Sequence, residues 1–113
     1  MTFDEITQLL AEQMAEIKDR HRHAAISAFL VTPERQVRTW GYGPGEFECW
    51  TIARDDLRGT VLVYCQGAFC DPWGSLASDS RDLGMDSDWF STLDDAFIAT
   101  LWIGPLPPDY EVA

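Results

Sequence analysis

Positive charge is scarce in this chain, and past residue 58 it nearly vanishes. Residues 59–113 hold nine acids and Arg81 as their sole cation, a balance of −8. Residues 1–58 hold ten acids against seven Lys and Arg, a balance of −3, so the chain carries −11 in all. A charge of that sign argues against nucleic acid and anionic membrane as partners. Long apolar runs are also missing: no stretch approaches the ~20 residues of a membrane span. The opening Met1-Thr2-Phe3-Asp4-Glu5 is acidic and amphipathic, unlike a secretory leader, so a cytoplasmic location is expected. Cysteine is sparse. Cys49, Cys65 and Cys70 are odd in number and lack metal-ligand spacing, which favours reduced thiols over a disulfide framework. No phosphate-cradling glycine pattern, dinucleotide fingerprint or nucleophile elbow occurs. Internal repeats and linker-like segments are missing too, which predicts one domain over residues 1–113.

What the chain does contain is apolar residues, 46% of the total, with five tryptophans. About two thirds of the unfolded surface is buried in a domain of this size, enough for a core without metals or bridges. Thr2-Phe3-Asp4-Glu5 has the spacing of a capping box, and Ile6, Leu9, Leu10, Met14 and Ile17 recur at helical intervals. They predict an amphipathic helix over 3–21, with Lys18, Arg20 and Arg22 at the negative end of its dipole.

Four strands are expected next, at residues 24–31, 36–42, 47–54 and 60–66. The turns between them are Thr32-Pro33-Glu34-Arg35, Gly43-Pro44-Gly45 and 55–59. Connections this short permit only antiparallel neighbours. The last strand is apolar on both faces, as a central strand is. Residues 75–78 offer a fifth, edge strand. Periodicity is lost from 67 to 91, and a loop that long is often functional. Ser91-Thr92-Leu93-Asp94 then starts a second helix over 92–102, lined by Leu93, Phe97, Ile98 and Leu101 and ended at Gly104-Pro105.

The expected fold is α+β, a two-layer sandwich. A four-stranded, or with the edge strand five-stranded, antiparallel meander carries the N-terminal and C-terminal helices on one face. The other face would show Trp40, Trp50, Tyr42 or Tyr64, according to register. An open aromatic face of that kind is a contact surface, suited to a homodimer.

Few constellations suggest chemistry. Asp82, Asp86 and Asp88 offer oxygen ligands, but their spacing departs from the calcium loop. His21 and His23 lie about 200° apart on a helix and make no metal pair without other ligands. Cys49 and Cys65 lie within apolar strands as small hydrophobes, and Asp71 beside Cys70 disfavours a thiolate there. Glu46, Glu48, Asp55 and Asp56 are expected at sheet ends in water. No catalytic residue, metal or cofactor follows from these patterns.

Pro72-Trp73-Gly74, Gly84-Met85-Asp86-Ser87-Asp88-Trp89-Phe90, Leu93-Asp94-Asp95-Ala96-Phe97 and Gly104-Pro105-Leu106-Pro107 resemble a pattern shared by a group of small bacterial proteins. That resemblance covers about 40 residues of the C-terminal half and carries no activity, so it transfers no functional residue. Architecture and acidity together are similar, in class only, to toxin-immunity proteins.

The expected function is therefore a non-catalytic, acidic protein-binding module of immunity or inhibitor type that engages a basic protein. Asp79, Asp82, Asp86 and Asp88 would steer and pair with Lys or Arg, while Trp73 and Trp89 anchor the partner. Two rivals stand beside it. One is a small-molecule binder or enzyme with a pocket between the sheet and residues 67–91; the other is a self-associating structural protein.

Overall fold

The structure is a computed structural model. It describes residues 1–40, 45–66, 71–78, 82–83, 88–100 and 102. Two helices, α1 (Phe3–Glu16) and α2 (Arg20–Ser27), precede three long strands, β1 (Leu30–Trp40), β2 (Glu46–Asp55) and β3 (Thr60–Cys65). Then come β4 (Trp73–Ala77), β5 (Asp82–Leu83), β6 (Asp88–Phe90) and helix α3 (Leu93–Thr100). The strands form one sheet in the order β5-β1-β2-β3-β4-β6. Every pairing is antiparallel except β1 with β5, which is parallel over two residue pairs. The architecture is the α+β sandwich expected, with the helices on one face of the sheet.

Local chemistry explains the helix ends. The Glu5 amide donates to Thr2 Oγ1 and the Thr2 amide to Glu5 Oε1, a complete capping box. The single expected helix over 3–21 is instead two. The first ends at Glu16, where Lys18 Nζ donates to the Ala15 carbonyl. The second begins when the Asp19 carboxylate accepts from the Arg22 amide at 2.9 Å. An Asp is a weak helix-interior residue and a strong cap, so the chain breaks there. Residues 20–27, partly assigned to a first strand by their apolar character, are therefore helical. The expected turn at Thr32–Arg35 lies inside β1. Pro33 fits because the ladder to β2 is irregular between Leu30 and Glu34, where a missing amide costs little. The fourth strand of the meander is β4, which takes up most of the edge strand offered at 75–78 and begins two residues earlier, within the stretch otherwise expected to be a loop. The turn expected at Gly43-Pro44-Gly45 lies outside the described residues except for Gly45.

The core sits between helices and sheet. Ile6, Leu10, Ile17, Ile26, Leu93 and Phe97 pack from the helices onto Trp50, Ile52, Leu62, Tyr64 and Trp73. In α3, Ala96 rather than Ile98 completes the buried face, and Ile98 is 43% exposed. Trp50 and Tyr64, expected on an open aromatic face, are buried beneath the helices. The side chain of Trp40, and Tyr42, lie outside the described residues. The opposite sheet face carries Cys49, Val61, Val63, Cys65 and Leu76, all buried, with Phe47 and Trp89 against them. Arg22 ties two helices together through paired bonds to the Asp94 carboxylate, both 2.9 Å.

The sheet is open but cannot be flat. Leu83 and Asp88 lie on opposite edge strands. The five residue steps between them reach at most about 18 Å. Five strand spacings in a flat sheet measure about 24 Å. The sheet therefore curves and draws its edges together.

Asp55 departs from the sequence expectation, being 3% exposed rather than in water. Its carboxylate accepts from the Leu57 and Arg58 amides at 3.0 and 3.2 Å and from the Arg58 guanidinium. These bonds close the β2–β3 turn, whose Gly59 adopts φ +63°. Desolvation pushes the Asp55 pKa up, but the Arg58 guanidinium and the two amides outweigh it, leaving the pKa below the ordinary carboxylate value. A depressed folded-state pKa contributes stability above the unfolded pKa, about 3.9, which is lost as pH falls through the folded value. Asp55→Asn should thus melt below the parent at pH 7. The gap should narrow as pH drops below about 4 in parallel thermal melts. A gap constant down to pH 2.5 would contradict this account.

Candidate functional site

Of the acids expected to make one surface, two fall on short edge strands. Asp82 is in β5 and Asp88 in β6, at opposite edges of the hydrogen-bonded ladder. Asp79 and Asp86 lie outside the described residues. Trp73 is 2% exposed, with its ring centroid 4.8 Å from that of Tyr64, so it serves the core and offers no anchor. Trp89 is half-buried and lies over Gly74 on the sheet face away from the helices. Glu48, expected in water at a sheet end, is part of a bonded cluster described below.

Elsewhere, four of the described arginines form ion pairs. Arg22 pairs with Asp19 and Asp94, Arg35 with Glu48, Arg54 with Glu34, and Arg58 with Asp55. By contrast, among the described residues no Lys or Arg forms an ion pair with Asp4, Glu12 or Glu16. All three stand exposed on α1. Glu5, Glu12 and Glu16 repeat at intervals of seven and four, which places them along one stripe of the helix.

That stripe borders a groove. One cavity of about 330 Å³ is lined by Met1, Glu5, Gln8, Leu9, Glu12 and Tyr64. A second, of about 220 Å³, is lined by Met1, Glu48, Trp50, Tyr64 and Gln66. They share Met1 and Tyr64, and so run together along α1 to the open end of β2 and β3. Glu48 is fixed at one end. It accepts from Arg35 Nε at 2.7 Å and Trp50 Nε1 at 3.0 Å, and the amino group of Met1 lies 3.5 Å away. The Arg35 and Trp50 bonds hold its pKa below the usual range. Glu5 is held down likewise by the Thr2 amide and hydroxyl. Burial pushes the Tyr64 phenol up, so it remains a neutral hydroxyl in neutral solution. The groove thus has an acidic helix wall and an aromatic floor.

Such a lining suits a cation. Carboxylates accept charge-assisted hydrogen bonds from guanidinium or ammonium, and aromatic rings attract the same groups. Nucleophile–base pairs, which acyl or phosphoryl transfer would need, are not among its lining residues. Among the described residues no cluster of three or more His, Cys, Asp or Glu is placed to hold a metal ion. No described helix is long and apolar enough to cross a membrane.

The sequence reading missed this groove because attention fell on the half with the greater net charge. The usable signal was local: acids at 5, 12 and 16 on the wet side of a helix whose only neighbouring lysine, Lys18, donates to the Ala15 carbonyl. No protein-family model, curated protein or solved structure matches the chain.

Proposed function

We propose that the protein is a non-catalytic binding module that engages a basic protein partner, as immunity and inhibitor proteins do. A Lys or Arg side chain of the partner enters the groove between α1 and the end of β2 and β3. The observation that carries this reading is the stripe of acids on α1, with no described Lys or Arg paired to it, beside an aromatic floor. Glu12 and Glu16 steer and pair with the incoming cation, Tyr64 and Leu9 supply apolar contact, and the net charge of −11 speeds encounter. This reading seats the partner on α1.

The test separates a site from a general field. Binding of an arginine-rich peptide is measured by calorimetry for the parent, for Glu12→Gln/Glu16→Gln, and for Asp56→Asn/Asp71→Asn. Both double variants remove two exposed charges. Exposed pairs contribute about 0.2–1 kcal/mol each, so the α1 variant should bind about two- to thirtyfold more weakly. The control variant should stay near the parent. Equal losses in the two variants, or no loss in either, would remove the groove from the account.

A further inference from the structure

The sheet face away from the helices holds a feature that cation binding does not use. Cys49 of β2 and Cys65 of β3 are direct ladder partners. Their alignment depends on one extra residue. Near the turn, Asp55 opposes Thr60 and Arg54 opposes Val61; beyond Ile52 the register shifts by one, so that Thr51 opposes Val63 and Cys49 opposes Cys65. Without that bulge Cys49 would face Gln66, and Trp50 would turn to the other side of the sheet.

The pair is also of the closer kind. The Cys65 amide donates to the Pro72 carbonyl at 2.9 Å, away from β2. Cys49 and Cys65 therefore form a non-hydrogen-bonded pair, for which Cα atoms lie about 4.5 Å apart. A disulfide tolerates Cα separations of roughly 4.4–6.8 Å, so closure asks little of the backbone. Both cysteines are fully buried free thiols. Arg38, 3% exposed, lies on the same face in the neighbouring strand, where Gln36 opposes Cys49 and accepts from the Arg38 guanidinium at 2.7 Å.

We propose that Cys49 and Cys65 are a redox pair that exchanges with low-molecular-weight disulfides and closes to a cross-strand disulfide within the folded protein. Cys65 is the attacking sulfur. A hydrogen bond shared with Cys49 lowers its pKa against the opposing effect of burial, and the Arg38 charge, which acts on both sulfurs, adds to the lowering. Cys49 is pushed up, by that same shared hydrogen bond and by burial, and keeps its proton. The Cys65 thiolate attacks one sulfur of the oxidant, forming a mixed disulfide and expelling one thiolate, which takes up a proton. Cys49 then loses its proton and attacks the Cys65 sulfur. The mixed bond breaks, the second thiol leaves, and the net change is one small disulfide reduced to two thiols for one protein dithiol oxidised. Because both sulfurs are covered, local opening sets the rate, while strand geometry sets the end point.

The test uses the full chain with Cys70→Ser, which leaves Cys49 and Cys65 as its only cysteines. It is equilibrated with graded mixtures of reduced and oxidised glutathione, alkylated and digested with trypsin. Cleavage after Arg38, Arg54, Arg58 and Arg81 puts Cys49 in peptide 39–54 and Cys65 in peptide 59–81. The expected product is these two peptides joined, two hydrogens lighter than their sum, in protein whose circular dichroism is unchanged, and separable again by reductant. With Cys49→Ser added, glutathione should accumulate on Cys65; with Cys65→Ser in its place, Cys49 should stay mostly free. Alkylation of both cysteines at every ratio, or joined peptides only in unfolded protein, would overturn the proposal. Equal glutathione uptake by the two single-cysteine chains would overturn the assignment of Cys65 as attacking group.

Discussion

Phe97→Ala should lower the unfolding free energy by about 3–5 kcal/mol, the usual result of emptying a large aromatic site in a packed core. Phe97 is fully buried on α3. Its ring lies 6.3 Å from that of Phe29 and 6.1 Å from that of Trp102, while Phe29 and Trp102 approach to 4.9 Å. Those three rings join α3 to the segment that leads from α2 into β1, so the cavity would open where three elements meet. Domains of this size have about 5–15 kcal/mol in total, so the variant should sit near the limit of folding at 37 °C. In urea titrations followed by circular dichroism the midpoint should fall sharply with little change in slope. Ile98→Ala, one residue along the same helix but exposed, should stay within about 0.5 kcal/mol of the parent. Comparable losses in the two variants would mean that α3 is packed by another face.

Gly74→Ala should cost about 1–3 kcal/mol, for a reason unrelated to backbone freedom. A Cβ placed there would stand 2.6–2.9 Å from three carbons of the Trp89 ring. The indole must leave its seat, and Trp89 belongs to β6, which is held to β4 by only three residue pairs. Displacing the ring therefore loosens the edge strand as well as the contact. The cause can be isolated by a double-mutant cycle, since coupling appears only between groups that touch. In a Trp89→Ala background the added methyl should cost much less, because the space is free. An identical cost with and without the indole would place the strain elsewhere.

How far the fold was legible depended on whether local signals competed. The Thr2–Glu5 box and the Ile6-Leu9-Leu10-Met14-Ile17 spacing agreed, and α1 starts and packs as they require. Residues 24–31 carried conflicting signals. Their β-branched and apolar character favoured a strand, but Asp19 could cap a new helix three residues before Arg22, and that cap prevailed through residue 27. Pro33 read as a turn because a regular ladder excludes it; an irregular ladder does not. β4 was the weakest strand signal and became the fourth strand of the meander, because pairing with Val61, Val63 and Tyr64 supplied what Trp73-Gly74-Ser75 lacks in propensity.

The sites were less legible. Charge density drew attention to residues 59–113, yet the uncompensated acids among the described residues that border a cavity are on α1. Whether an acid is spent on an arginine is a matter of three-dimensional pairing. Glu34, Glu48 and Asp94 are spent; Glu12 and Glu16 are not. The dithiol had a signal that spacing alone could reveal. Strands over 47–54 and 60–66 around a five-residue turn place residues 49 and 65 opposite each other. The bulge at Ile52 could not be read, and it restores that register after the turn has shifted it by one.

The central claim, that a cation seats between α1 and the end of β2 and β3, is tested most directly by amide NMR of ¹⁵N-labelled protein titrated with an arginine-rich peptide. The account predicts the largest shift changes at Glu5, Gln8, Leu9, Glu12, Tyr64 and Gln66, diminishing as salt is raised. Changes centred instead on Asp71, Asp82 and Asp88, or spread evenly over every exposed acid, would contradict it.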